Sequence, residues 1–138
     1  MDRKLFDELL AKREQREADK LRVGVISLPG GPALQVRMPG DKVLLEIFSE
    51  LSDADGASAA LACGNHAIYS CCPALQEREL WEAVGTEDDP MGVVSALFSV
   101  AEQDKLGGQA LQFMGLLRGG DVDKPEETVK NGSPATRS

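Results

Sequence analysis

The sequence predicts a mainly α fold with one small β-hairpin (α+β): an N-terminal helix, the hairpin, then a compact bundle of about five helices. Three observations carry that prediction. Apolar residues recur at helical spacing in residues 2–20 and again from Asp41 to Leu117. Residues 21–38 instead alternate with a period of two around a Gly/Pro turn. Only 4% of the chain is aromatic although 42% is hydrophobic, so Leu, Val and Ala make the core, which favours helix packing over a sheet sandwich. The 138 residues suit one domain.

Leu5, Phe6, Leu9 and Leu10 form an apolar stripe on the first helix, predicted over residues 2–20. Beyond Leu10 the run AKREQREADK is charged nearly all round, as on a solvated extension. The stripe can therefore seat on its own domain, or serve as a partner-binding or self-association face with i, i+3, i+4 anchors.

Leu21, Val23, Val25 and Leu28 precede Pro29-Gly30-Gly31-Pro32, and Leu34, Val36 and Met38 follow it, predicting a hairpin over 21–38. A lone hairpin is marginal in water, so a helix must cover its apolar face. Asp41 reads as an N-cap, followed by Leu44, Ile47, Phe48 and Leu51 as the buried stripe of a helix. Residues 57–71 are rich in Ala and Gly, which let a neighbouring helix approach closely. Pro73 should stop that helix at Cys72. A short helix from Leu75 to Val84 should end at Gly85. Asp89-Pro90 reads as a helix start, with Val93, Val94, Leu97, Phe98 and Ala101 buried behind it. The pattern continues through Leu106, Ala110, Phe113 and Leu117, as one bent helix or two meeting near Lys105, because Gly107-Gly108 weakens the helix there. The predicted organisation is a helix over 1–20, one globular domain over 21–117 with its helices at 41–117, and a disordered tail over 118–138.

Net charge is −8 and the pI is near 4.6. That balance argues against nucleic acid as a partner, which calls for a basic surface, although a local basic patch stays open. No apolar run approaches the ~20 residues that span a bilayer, and MDRKLFDELL is too polar for a signal peptide, so a cytoplasmic protein without a membrane partner is expected. Three clustered cysteines do not make the disulfide framework of a secreted domain.

Cys63, His66, Cys71 and Cys72 are the one cluster with site chemistry. Its C-x2-H-x4-C-C spacing matches no closed zinc pattern, and adjacent cysteines serve one zinc poorly; small buried thiols beside a helix-face histidine are the competing reading. A Cys–His nucleophile pair would have to use His66, with no orienting carboxylate close in sequence. Pro29-Gly30-Gly31-Pro32 lacks the pattern of a phosphate loop, and Glu87, Asp88 and Asp89 read as helix-start chemistry. No catalytic residue, metal or other cofactor is expected.

The order of features over residues 20–117 resembles the tail assembly chaperones of long-tailed bacteriophages and related prophages. The resemblance rests on Ala67-Ile68-Tyr69-Ser70-Cys71-Cys72-Pro73-Ala74-Leu75, then Glu79-Leu80, then Asp89-Pro90 leading into Val93-Val94 and Leu97-Phe98, then Glu102, Leu106 and Met114-Gly115. The long charged N-terminal helix and the Cys71-Cys72 pair depart from the family's pattern. The resemblance implies a non-catalytic binder of the tape measure protein, which keeps that client soluble in the host cytoplasm while the tail tube assembles. The major tail tube protein and a second copy of the chain are further partners it implies, and some members also have a frameshifted longer form. A structural head–tail or tail component retained in the virion, or a small zinc- or cysteine-dependent protein, are the alternatives.

Overall fold

The structure, a computed structural model, describes residues 1–117. Six helices and one hairpin follow in order: α1 (Arg3–Asp19), β1 (Val23–Ser27), β2 (Ala33–Arg37), α2 (Asp41–Asp53), α3 (Ala57–Cys71), α4 (Arg78–Val84), α5 (Val93–Leu97) and α6 (Val100–Phe113). The mainly α fold with a small hairpin is therefore as the sequence predicts. The predicted tail over 118–138 lies outside the described residues.

The core is built on α3 and α6, which make the most extensive helix contact among the described residues. Gly64 and Gly107 face each other at that crossing: a Cβ on Gly107 would lie 3.0 Å from the Cα of Gly64. With no side chain on either surface, the two backbones meet directly, and Ala67, Ile68, Leu106 and Ala110 close around the contact, all but fully buried. The glycine pair that lowers helix propensity is thus retained for packing. α6 runs unbroken through Gly107-Gly108, so the predicted bend near Lys105 is absent.

The break falls earlier, at Phe98-Ser99. Ser99 caps α6 with a reciprocal pair of bonds: the Glu102 N–H donates to Ser99 Oγ (3.2 Å), and the Ser99 N–H donates to Glu102 Oε1 (2.9 Å). This capping box satisfies two orphan helix-start donors, and its Ser-x-x-Glu signature stands in the sequence at residues 99–102. Upstream, Pro90–Gly92 forms a 3-10 turn before α5, and the Asp89 side chain makes no cap bond. Val93, Val94 and Phe98 are buried as expected, whereas Leu97 and Ala101 are exposed, because the change of direction at Ser99 ends the stripe.

The hairpin is antiparallel, with Gly24 opposite Val36 and Ile26 opposite Leu34. Leu28 and Gly31 close its turn, with Gly30 at φ 72°. The face of β1 is corrected: Gly24 and Ile26 point inward, while Leu21, Val23 and Val25 are exposed. The Phe113 ring decides this. It lies 2.9 Å from where a Gly24 Cβ would stand, so only glycine admits it without a shift. A one-residue change of face inverts every side chain of a strand.

Two further expectations change. Gly40 is the N-cap of α2, and Asp41 is its first-turn acid rather than its cap. Phe48 is exposed, because Val43, Leu44, Ile47 and Leu51 supply the packed face and Phe48 falls to one side of it. The predicted Leu75–Val84 helix divides into a 3-10 turn over Pro73–Gln76 and α4. Trp81 ties the two together by donating from Nε1 to the Leu75 carbonyl at 2.7 Å. α4 ends at Gly85 in the left-handed conformation (φ 78°), with the Thr86 N–H donating to the Trp81 carbonyl. Among the described residues no helix is long and apolar enough to cross a membrane.

Candidate protein-binding site

None of the 17 residues of α1 is buried. Leu5, Phe6, Leu9 and Leu10 are 46%, 39%, 51% and 48% exposed, so the stripe does not seat on its own domain in this structure. Most helices owe their stability to packing of one face, and an isolated helix of this length is marginal in water. Here local contacts must serve: Arg3 pairs with Asp7 and stacks over the Phe6 ring at 4.9 Å, and Lys20 pairs with Glu17. These exposed pairs contribute little each.

An ion pair joins the α1 helix to the body: Arg16 Nη2 lies 2.5 Å from Asp41 Oδ2, at the start of α2. Past the end of α1, Arg22 reaches the Phe113 carbonyl, with its guanidinium over the Phe113 ring, and so fixes where the chain enters β1. The next two turns of α2 expose Leu45 (64%) and Phe48 (51%) on the same side as Asp41. The four α1 residues singled out in the sequence thus share a helix face, and the structure adds Leu45 and Phe48. Sequence alone hid these two, since Phe48 fits the buried stripe and Leu45 falls between stripes.

The Cys/His cluster comes apart. Cys63, Cys71 and Cys72 are free and buried. Cys63 Sγ bonds to the Ile47 carbonyl and Cys71 Sγ to that of Ile68. Burial pushes all three thiols up, with the Glu50 charge adding to it at Cys63, and Cys71 rises to about 12. A thiol nucleophile needs the opposite shift. His66 Nδ1 lies 2.9 and 3.0 Å from the two Glu50 carboxylate oxygens, linking α3 to α2. Among the described residues no three His, Cys, Asp or Glu side chains group to hold a metal ion. An open groove of about 600 Å³ beside the hairpin is lined by Lys20, Val23, Arg37, Tyr69 and Gln76, so it shares no residue with the thiols or His66.

No known protein family, no curated protein and no solved structure matches the chain.

Proposed function

We propose that this protein is a tail assembly chaperone of a long-tailed bacteriophage or prophage. It binds the tape measure protein in the host cytoplasm, keeps it soluble, and yields it to the tail tube without catalysing a reaction. The observation that carries the reading is a helix that buries nothing yet holds Leu5, Phe6, Leu9 and Leu10 on one face. Exposed apolar groups arranged at helical spacing mark sites for a partner helix, and an unpacked helix gains the stability it lacks when a partner covers it. The resemblance in order and spacing of features over residues 67–115 supports the family, and the client is the one that the family implies. The major tail tube protein and a second copy of the chain are the other partners this reading includes.

Co-expression with the tape measure protein tests it. The expected result is a soluble complex with the wild-type chain and an insoluble client with the Leu9→Asp variant. A client equally insoluble with and without the wild-type chain removes the proposal. The protein should also be absent from purified virions; stoichiometric amounts there would make it a structural tail component instead.

A further inference from the structure

The hairpin covers the core with one face and leaves the other in water. Directly opposed residues of an antiparallel pair share a sheet face, so Val23 and Arg37 stand together on the outer one, as do Val25 and Gln35. All four are exposed, Val23 by 73% and Val25 by 61%. Two hollows open on these residues. One, of about 420 Å³, is lined by Val23, Val25, Gln35, Arg37 and Pro73. The other is the groove of about 600 Å³ lined by Lys20, Val23, Arg37, Tyr69 and Gln76. Val23 and Arg37 line both, so the two adjoin as one trough. One wall of it is fixed: Gln76 Nε2 donates to the Tyr69 and Ser70 carbonyls at 2.8 and 3.2 Å, which pins the 3-10 turn to the end of α3.

We propose that this trough binds an extended segment of a partner protein in which an apolar run adjoins a run of carboxylates. Charge decides the occupant. The chain as a whole carries −8, yet Lys20 and Arg37 line the trough and, among the described residues, no acidic one does. Arg37 forms no ion pair among the described residues, and Lys20 pairs with Glu17 at the surface, where such pairs are weak. Asp41, next to Gly40 at the groove's edge, is already held by Arg16. A carboxylate entering the groove therefore meets two cations and no like charge on its lining, whereas a basic side chain is repelled. The other half of the trough offers Val23, Val25 and Pro73 to apolar side chains. Val23 and Val25 stand two residues apart on β1, the spacing at which an extended segment presents its own side chains to one face. Hollows of this size take a ligand with an apolar part and a few placed polar groups rather than a lone anion. The trough contains none of the α1 stripe, so the proposal goes beyond the chaperone reading and stands without it.

The probes are fluorescein-labelled peptides of about ten residues in which alternating valines and threonines are followed, or in a second peptide preceded, by glutamates; counterparts carry lysines in place of the glutamates. Fluorescence anisotropy with the full chain should show one glutamate peptide binding at least about tenfold more tightly than its lysine counterpart, by a margin that shrinks as salt rises. Arg37→Glu should reverse that preference. Val25→Ser should weaken binding of the glutamate peptide by about tenfold. Both side chains are exposed, so folding should be unaffected, as circular dichroism would verify. Failure of every peptide to bind would overturn the proposal. Binding untouched by Arg37→Glu would overturn it too, as would binding untouched by Val25→Ser. Free glutamate that displaces the peptide at the peptide's own concentration would replace the partner segment with a small anion. A wild-type dimer that Arg37→Glu dissociates in sedimentation would show that a second copy fills the trough. Glutamate-peptide binding tightened about tenfold by Glu126→Lys/Glu127→Lys would show that the chain's own acidic end fills it. Each of these three results overturns the assignment to a partner protein.

Discussion

Gly64 and Gly107 touch backbone to backbone across the α3–α6 crossing, with 3.0 Å between the Gly64 Cα and the place a Gly107 Cβ would occupy. Gly107→Ala should therefore destabilise the protein by about 1–3 kcal/mol, because two helix backbones must separate to admit the methyl. The adjacent Gly108 has nothing within 4 Å of its virtual Cβ. Gly108→Ala should stabilise by up to about 1 kcal/mol through helix propensity. Urea unfolding of both variants checks the pair, and equal effects of the same sign would refute the packing account.

The Ser99–Glu102 box sets the start of α6. Ser99→Ala should cost about 1 kcal/mol, and Glu102→Ala should cost less once Ser99 is already gone. A double-mutant cycle by thermal unfolding measures that coupling. Additive losses would mean the two bonds act independently.

Gln109 on α6 reads the open edge of β1 as a strand would. Its Oε1 accepts from the Ser27 N–H and its Nε2 donates to the Ser27 carbonyl, both at 2.8 Å. Gln109→Leu should cost about 1 kcal/mol and speed hydrogen exchange at the Ser27 amide. Unaltered exchange at that amide would show that the contact is not maintained in solution.

Burial of Cys71 ties stability to alkaline pH. Below pH 9 the thiol is neutral in both folded and unfolded chains. Above it the unfolded chain loses the proton, while the folded chain keeps it until about 12. Stability should therefore fall as pH rises through that window, and the raised thiols of Cys63 and Cys72 act in the same direction. Urea midpoints compared near pH 8 and pH 10.5 should show a smaller fall for Cys71→Ala than for the wild type. A parallel fall in the two proteins would contradict the assignment.

Removing residues 1–15 should leave the melting temperature within about 2 °C of the full chain, because α1 buries nothing and Arg16 is retained. The same truncation should abolish solubilisation of the tape measure protein. Melting lowered by more than about 5 °C would mean that α1 packs on the body in solution.

Local chemistry was legible in the sequence. Proline at 73 and glycine at 85 end their segments as read, because each acts on the backbone of its own neighbourhood. The helical period, the period-two hairpin and the stripe on α1 were legible for the same reason. Periodicity shows that a face exists, but not what will cover it. Nothing in the period-two pattern singles out Gly24, yet the Phe113 ring packs on it and so turns Val23 and Val25 outward. Gly107 reads as a helix breaker until Gly64 meets it. The tertiary structure likewise left Phe48 in solvent and brought Arg16 to Asp41 across 25 residues of chain. The apolar stripe of α1 could thus be read from four side chains and their spacing. The exposed apolar face of α2 could not, since it exists only because packing used one side of α2 and left Leu45 and Phe48 over.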